Sequence, residues 1–515
     1  MIEYLVEVFY VVTLAALAAY ALHALVLMVL YLRHRHDEPT PPPDLVDDRL
    51  PSVTVQVPLR NERYVAAQML QAVGALDWPW DRLQIQVLDD SDDETTAIVI
   101  AEAACLQERG CNVEVLHRDG PAGYKAGALA EATARASGEF IAIFDADFCP
   151  APDFLRRTVP YLVADSALGM VQARWTHLNA AESWLTRVQA LALDAHFSVD
   201  HIARAGAGLL SNFNGAAGVW RKQAIVESGG WQCDTLTEDL DLSYRAQLVG
   251  WRLCFLPNVT APAQLPSLLA AFKAQQVRWT KGSSQCLRKL IGPILRSRRL
   301  NFAQKVMAVL HLSGYANQPF ILLMILLTTP MVLTNPVFAD FTLWLGALSV
   351  VPPLLFVLGQ AHFYRDWPRR VLVYPMLMLL WVGLAYSITL AFFEGLLVWG
   401  GSFVRTPKFR TGSGGAVARR DGYHPPLSAT WIGELALWLY VCVAIGLAFR
   451  LEHQHLLPLV IVYALGELLV LATTMVQELA ARRTAQKADD RSMRDRSRHP
   501  ARGVLSQGGN DGDVT

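Results

Sequence analysis

Five long runs of apolar residues limit what this chain can fold into more than any other feature. They lie at about Phe9 to Leu32, Ser313 to Leu333, Phe341 to Gly359, Thr430 to Phe449 and Leu456 to Val476. Each approaches or exceeds the ~20 residues that a helix needs to cross a bilayer. Hydrophobic residues make up 53% of the chain, more than an ordinary soluble protein carries. The excess is confined to the N-terminus and residues 305–480, while residues 51–282 read as a mixed globular domain. A five-span membrane protein with one water-soluble domain between its first two spans is therefore expected.

Charge places that domain. Arg33, His34, Arg35 and His36 directly follow the first run, and the positive-inside tendency puts what comes next in the cytosol of a cell-membrane protein. Glu3 stands where a leader peptide would be basic, and the apolar run is too long for one, so the segment reads as a retained anchor. Pro39 and Pro41 to Pro43 make a stiff linker of residues 37–50. The segment Val371 to Trp399 is flanked by Arg365, Arg369 and Arg370 before it and by Arg405, Lys408 and Arg410 after it. One crossing would strand a basic flank outside, and two need more residues than it has, so a re-entrant or in-plane helix pair broken near Pro375 or Gly383 is expected. Leu287 to Leu300 reads as an amphipathic interfacial helix within 283–304, touching membrane lipids. Residues 481–515, polar and charged, read as a disordered tail.

A net charge of −1 gives no reason to expect nucleic acid as a partner. Seven cysteines, scattered singly, suit reduced thiols and not a zinc site or a disulfide framework.

Inside residues 51–282, strand-like runs (Val53 to Val57, Ile85 to Leu88, Val113 to Leu116, Phe140 to Phe144) alternate with helical patterns. Such alternation predicts an α/β domain with a mostly parallel, Rossmann-like sheet, whose ligands bind beyond the carboxyl ends of the strands. Two strands end in acids there: Asp89-Asp90, and Asp145-Ala146-Asp147. The second pair could hold a hard divalent ion with diphosphate oxygens, or could be a solvated turn. Arg118 and Lys125 surround the Gly120 to Gly123 turn and could bring cations to a diphosphate. The small-residue turn Phe213 to Gly218 allows close backbone approach to a ligand. Thr237-Glu238-Asp239 reads either as a capped helix start, with acids complementing the dipole, or as a site in which Asp239 is a general base. Downstream, Arg278 could clamp a phosphate. Trp279 could stack on a sugar ring or anchor at a bilayer interface.

Taken in order, Asp89-Asp90, Asp145-x-Asp147, Thr237-Glu238-Asp239 and Gln275-x-x-Arg278-Trp279 resemble the D, DxD, TED, QxxRW series of the processive membrane family-2 glycosyltransferases, the cellulose-synthase-like enzymes. Gln172-Ala173-Arg174-Trp175, Phe213-Asn214-Gly215 and Phe403-Val404-Arg405-Thr406-Pro407-Lys408 are most similar to the mannan- and glucan-synthase-like branch. Arg60, where relatives usually carry an aromatic residue, and Ala216, where Thr is common, depart from the pattern.

The resemblance implies a GT-A catalytic domain beside an all-α membrane domain. It implies inverting transfer of glucose or mannose from UDP-glucose or GDP-mannose to a growing β-linked polysaccharide, or alternatively to a lipid such as diacylglycerol, with Mg2+ or Mn2+. By the same resemblance Asp89 and Asp90 would contact the nucleotide, Lys125 and Arg278 the diphosphate, and Asp145 and Asp147 the metal. Asp239 would be the base, and Gln275, Trp279, Glu238, Asn214 and Gly215 would meet the acceptor. Phe403, Arg405, Thr406 and Lys408 would lie in a gating-type loop at 401–427.

Overall fold

The computed structural model describes residues 2–43, 45–118, 120–334, 345–401 and 430–498. The globular domain is built on a seven-stranded sheet of order β3-β2-β1-β4-β6-β5-β7. Its strands are β1 (Val53–Leu59), β2 (Leu83–Asp89), β3 (Asn112–His117), β4 (Phe140–Ile143), β5 (Leu168–His177), β6 (Gly218–Arg221) and β7 (Arg252–Ala263). The first four are mutually parallel, whereas β6 runs antiparallel to both its neighbours. That reversal matters for the site. Ile143 at the end of β4 pairs with Gly218 at the start of β6, so the turn entering β6 and the acids leaving β4 meet at one sheet edge.

The helices of this part are α1 (Ile2–His34), α2 (Ala66–Val73), α3 (Thr95–Glu108), α4 (Tyr124–Arg135), α5 (Phe154–Ala164), α6 (Trp184–Ala195), α7 (His201–Gly206), α8 (Lys222–Glu227), α9 (Glu238–Val249) and α10 (Leu269–Arg296). They bury both faces of the sheet, so β1 and β2 are buried along almost their whole length even though Thr54, Gln56, Gln84 and Gln86 alternate with apolar residues. One face packs Val55, Val57, Met69, Leu70, Ile85 and Phe154. The other packs Leu129, Ile141, Ile143, Trp220 and Leu242. The buried polar residues of β1 and β2 pair across the strands: Thr54 Oγ1 donates to Gln84 Oε1 (2.9 Å) and Gln56 Nε2 to Gln86 Oε1 (3.0 Å).

Among the described residues, five helices are long and apolar enough to cross a membrane: Glu3–His34, Gly314–Thr334, Leu345–Phe363, Trp431–Arg450 and Gln454–Ala480. The difficult apolar segment forms two helices, Trp367–Gly383 and Ala385–Leu397, bent by 55°. The break falls beside Gly383, whose missing side chain admits the backbone of Gly466.

Two expectations are corrected. No separate interfacial helix spans 283–304, because α10 runs unbroken from Leu269 to Arg296 and the next helix begins at Phe302 behind an Asn301 capping box. One face of this stretch, Cys286, Leu290 and Ile294, packs on Tyr244 and Leu312, while Ile291 and Leu295 are exposed. Two of the basic residues are engaged with protein: Arg288 covers the Trp399 ring at 4.2 Å and Lys289 meets Asp234 and Asp241. The last membrane helix also continues to Arg498, through residues expected to be disordered. Ala, Arg, Gln and Lys there are good helix formers, and neither Gly nor Pro interrupts them. The linker holds one short turn, Asp47–Arg49.

Candidate active site

The cleft is assembled around Lys125, in the first turn of α4. Gly123, at φ +70°, starts that helix in the left-handed region, and the preceding loop is pinned by Arg118. Its guanidinium holds Asp90 through Nε (2.6 Å) and Nη2 and donates to the carbonyls of Ala122 and Tyr124, both at 3.0 Å. Lys125 Nζ then reaches across the sheet edge to Asp145 Oδ1 (2.6 Å) and the Gly215 carbonyl (2.8 Å), with Glu238 Oε1 at 3.8 Å. One ammonium thus joins the β4 acids, the turn before β6 and the start of α9. Burial disfavours its charge, but Asp145 and Glu238 outweigh that and hold the ammonium above its ordinary value.

Glu238 and Asp239 occupy the first turn of α9. Thr237 sits at the capping position but makes no side-chain cap; its hydroxyl lies against Cys286 Sγ at 3.4 Å. Capping therefore does not account for the motif. Asp239 Oδ1 accepts the Leu240 N–H (2.8 Å), and Oδ2 points to Gly215, where an added Cβ would lie 2.8 Å from it. Only glycine fits that position, which also has φ +83°. Burial, then the neighbouring Glu238 carboxylate, push the Asp239 carboxyl up to about 7, against the pull of Lys125. That is a poised value for a general base.

Helix α10 brings the remaining groups. At Gly282 it packs on Thr237 so tightly that a Cβ would stand 2.6 Å from Thr237 Cγ2. Arg278, one turn earlier on the same face, is carried towards the acids: burial lowers its guanidinium from the ordinary value, while Glu238, Asp145, Asp239 and Asp147 all act to restore it. Gln275 and Trp279 are half-buried. Neither lies in a membrane-crossing helix. At the far end, Lys273 Nζ pairs with Glu434 of the Trp431–Arg450 helix, fastening α10 to the membrane domain.

Asp89 is placed differently from Asp90. It has no exposed surface and its oxygens are occupied by Thr96 Oγ1 (2.7 Å), the Ser91 N–H (3.1 Å) and His117 Nδ1 (3.1 Å). It braces the strand-end loop beneath Asp90. Asn214 also has partners of its own, His196 and His201. Phe403, Arg405, Thr406 and Lys408 lie outside the described residues.

Gln285 is a site residue that sequence reasoning missed. Fully buried, it accepts the Leu236 N–H (2.9 Å) and donates to the carbonyls of Val398 (3.1 Å) and Gly400 (2.7 Å). It thereby joins the approach to Thr237 with the chain leading to residue 401. The spacing Arg278, Gly282, Gln285, Lys289 is the signal that could have found it, since steps of three and four keep one helix face.

As for a metal, among the described residues no three His, Cys, Asp or Glu side chains cluster as a cation cage. Asp145 and Asp147 offer hard oxygens at a strand end, and Asp145 already bears a cation, the Lys125 ammonium. The donors fit an ion that completes its shell with water and phosphate, as Mg2+ does.

Residues 51–282 match the glycosyltransferase like family 2. Glucomannan 4-beta-mannosyltransferase 1 of Oryza sativa subsp. japonica is 42% identical over 279 residues, 53% of this chain and 54% of that protein. Probable glucomannan 4-beta-mannosyltransferase 3 of the same organism is 36% identical over 416 residues, 78% of this chain and 74% of its own length. With several of these curated relatives the match spans about half of their length. Among solved structures, the mannosyltransferase PcManGT from Pyrobaculum calidifontis, in complex with GDP-Man and Mn2+, shares the fold with a TM-score of 0.51 at 20% identity, over 76% of this chain and 99% of that one. The family match, the two-thirds-length likeness and the shared fold agree: the chain belongs to the cellulose-synthase-like family-2 glycosyltransferases.

Proposed function

We propose that this protein is an inverting membrane hexosyltransferase that extends a β-linked polysaccharide from a nucleotide sugar, with GDP-mannose as donor. One observation carries the reading: Lys125 gathers Asp145, the Gly215 carbonyl and Glu238 around Asp239. A base, a phosphate-sized cationic region and strand-end carboxylates thus share one cleft. The relatives' names, mannosyltransferases of glucomannan, support mannose over glucose.

In this reading the diphosphate lies between Lys125 and Arg278, whose charges offset the negative charge that grows as the glycosidic bond to phosphate breaks. Asp239 accepts the proton of the acceptor hydroxyl as that oxygen attacks the anomeric carbon from the opposite side. Gln275 and Trp279 hold the acceptor sugar, and the Gly215 turn walls the cleft. Mg2+ or Mn2+, held by Asp145 and Asp147, would add charge neutralisation at the leaving group. Asp90, braced by Asp89, faces the nucleotide. In this reading the domain lies on the cytosolic side of the cell membrane, which the positive-inside tendency of Arg33 and Arg35 after α1 supports.

Membranes containing the protein, incubated with labelled GDP-mannose and in parallel with UDP-glucose, test this directly. Label in an endomannanase-sensitive polymer is expected from GDP-mannose. Label extracted wholly into organic solvent, with no polymer, would replace the polysaccharide acceptor with a lipid one.

A further inference from the structure

Behind the turn that touches Asp239 lies a polar cluster with no part in the chemistry above. It begins with a backbone irregularity. Between α6 and α7, residues His196–Asp200 form a π-turn in which the His201 N–H donates to the His196 carbonyl. Residues five apart on an α-helix diverge by about 140°, whereas one π-turn returns them to a shared face. His196 and His201 therefore stand with ring centroids 4.6 Å apart, and both reach the carboxamide of Asn214. Asn214 Nδ2 donates to His201 Nε2 (2.9 Å), and Asn214 Oδ1 accepts from His196 Nε2 (3.0 Å) and from Asn212 Nδ2 (2.9 Å), while the Asn214 N–H donates to Gln172 Oε1 (3.0 Å).

Each ring is held from behind. His196 Nδ1 lies 3.1 Å from Asp200 Oδ2, and Asp200 Oδ1 accepts from Arg204 Nε (2.6 Å). His201 Nδ1 meets Ser211 Oγ at 3.3 Å, and its ring packs against both Phe197 and Phe255, which also touch one another. Arg204, with no exposed surface, extends to His23 of the membrane helix α1 (3.3 Å). The two imidazoles are thus fixed in orientation by groups outside the cleft.

We propose that His196 and His201 are positioning residues, a clamp that holds the Asn214-Gly215 turn in register with Asp239 on the acceptor side of the site. A carboxamide gripped at both its oxygen and its nitrogen cannot rotate, and the next peptide carries the carbonyl that Lys125 binds. Releasing the grip lets Gly215 move away from Asp239 Oδ2 while the donor-side residues stay in place. π-turns occur often at functional sites, and here the extra residue is what brings the second histidine round. The acceptor-side assignment rests on the hexosyl-transfer reading; the clamp itself does not.

The test uses the full-length protein in membranes or detergent. His201→Phe keeps the aromatic stack and removes only the hydrogen bonds. His196→Gln can still donate to Asn214 Oδ1, and His196→Phe cannot. Expected are a fall in kcat of at least about tenfold for both Phe variants with the donor KM within about twofold, and recovery of most of that loss in His196→Gln. In an Asn214→Ala background, His201→Phe should add little, as for residues acting through one contact. Backbone amide exchange over residues 212–218 should rise in both Phe variants with other core segments unaltered. Additive losses in the double variant, no recovery in His196→Gln, or unchanged exchange at 212–218 would each overturn the clamp. If the wild-type protein transfers no hexose, the proposed function fails, and the exchange measurement alone decides the clamp.

Discussion

Gly282 of α10 rests against Thr237 with no room for even a methyl group between them, and this contact sets the distance between the Arg278-bearing helix and the acids of α9. A substitution here reports directly on how much that spacing matters. Gly282→Ala should cost about 1–3 kcal/mol of stability, the usual range for overpacking. It should also lower kcat by about tenfold, since α10 must move outward and take Arg278 with it. Thermal unfolding and initial rates measured on one preparation check both. A fully active Gly282→Ala protein would show that the spacing is not critical.

Asp239, as the proposed base, is predicted to set the pH response. The ionised base is required, so the rate should fall about tenfold per unit as pH drops below about 7. Stability should move the other way. The folded carboxyl titrates near 7 and the unfolded one near 3.8, so the folded state binds the extra proton between those values and loses stability as pH rises through that window. Asp239→Asn, which does not titrate, should then be inactive in transfer yet melt higher than wild type above pH 7, with the difference vanishing near pH 4. Melting curves at several pH values settle the sign.

Lys125 is predicted to act as a structural and a catalytic group at once. Lys125→Met leaves the Asp145 carboxylate and the Gly215 carbonyl without their shared donor, a loss of about 1–3 kcal/mol, together with transfer activity. Adding Asp145→Asn should restore part of the melting temperature and none of the activity. Recovery of activity in the double variant would remove Lys125 from the chemistry.

Chelation should abolish transfer, and Mn2+ or Mg2+ should restore it. Electron paramagnetic resonance of added Mn2+ should show binding in the presence of a nucleoside diphosphate that is lost in Asp145→Asn and Asp147→Asn. Undiminished transfer in excess chelator would leave the leaving group to Lys125 and Arg278 alone.

The half of the sheet built from β1 to β4 was legible because each strand is a valine- or isoleucine-rich run ending in a turn. The other half was not: β6 has only Gly218–Arg221, and β7 carries Pro257 and Pro262, residues that argue against a strand except at an edge, which is where β7 lies. Asp89-Asp90 and Asp145-Asp147 were picked out by their place after strands, whereas Glu238 and Asp239 open a helix. Adjacent letters did not reveal that Asp89 and Asp90 have different partners, Thr96 and His117 for the first and Arg118 for the second. The π-turn left no trace in the sequence, since its apolar and polar residues continue the helical pattern on either side of it. Gln285 was hidden because its partners are backbone groups more than a hundred residues away along the chain on one side.

The unbroken course of α10 has a practical meaning for anyone wishing to study the enzyme outside a bilayer. A soluble fragment ending at residue 282, where the family match stops, would sever this helix after Gly282. It would remove Cys286, Leu290 and Ile294, strip the cover from Tyr244 and Leu210, and delete Gln285 from beneath Leu236. The excised fragment would contain every acid and the Arg278-Trp279 pair, yet lack the packing that holds α9 still. Such a fragment is therefore expected to lose activity: the boundary between the globular domain and its membrane support runs through the middle of a single helix, and each side borrows packing from the other.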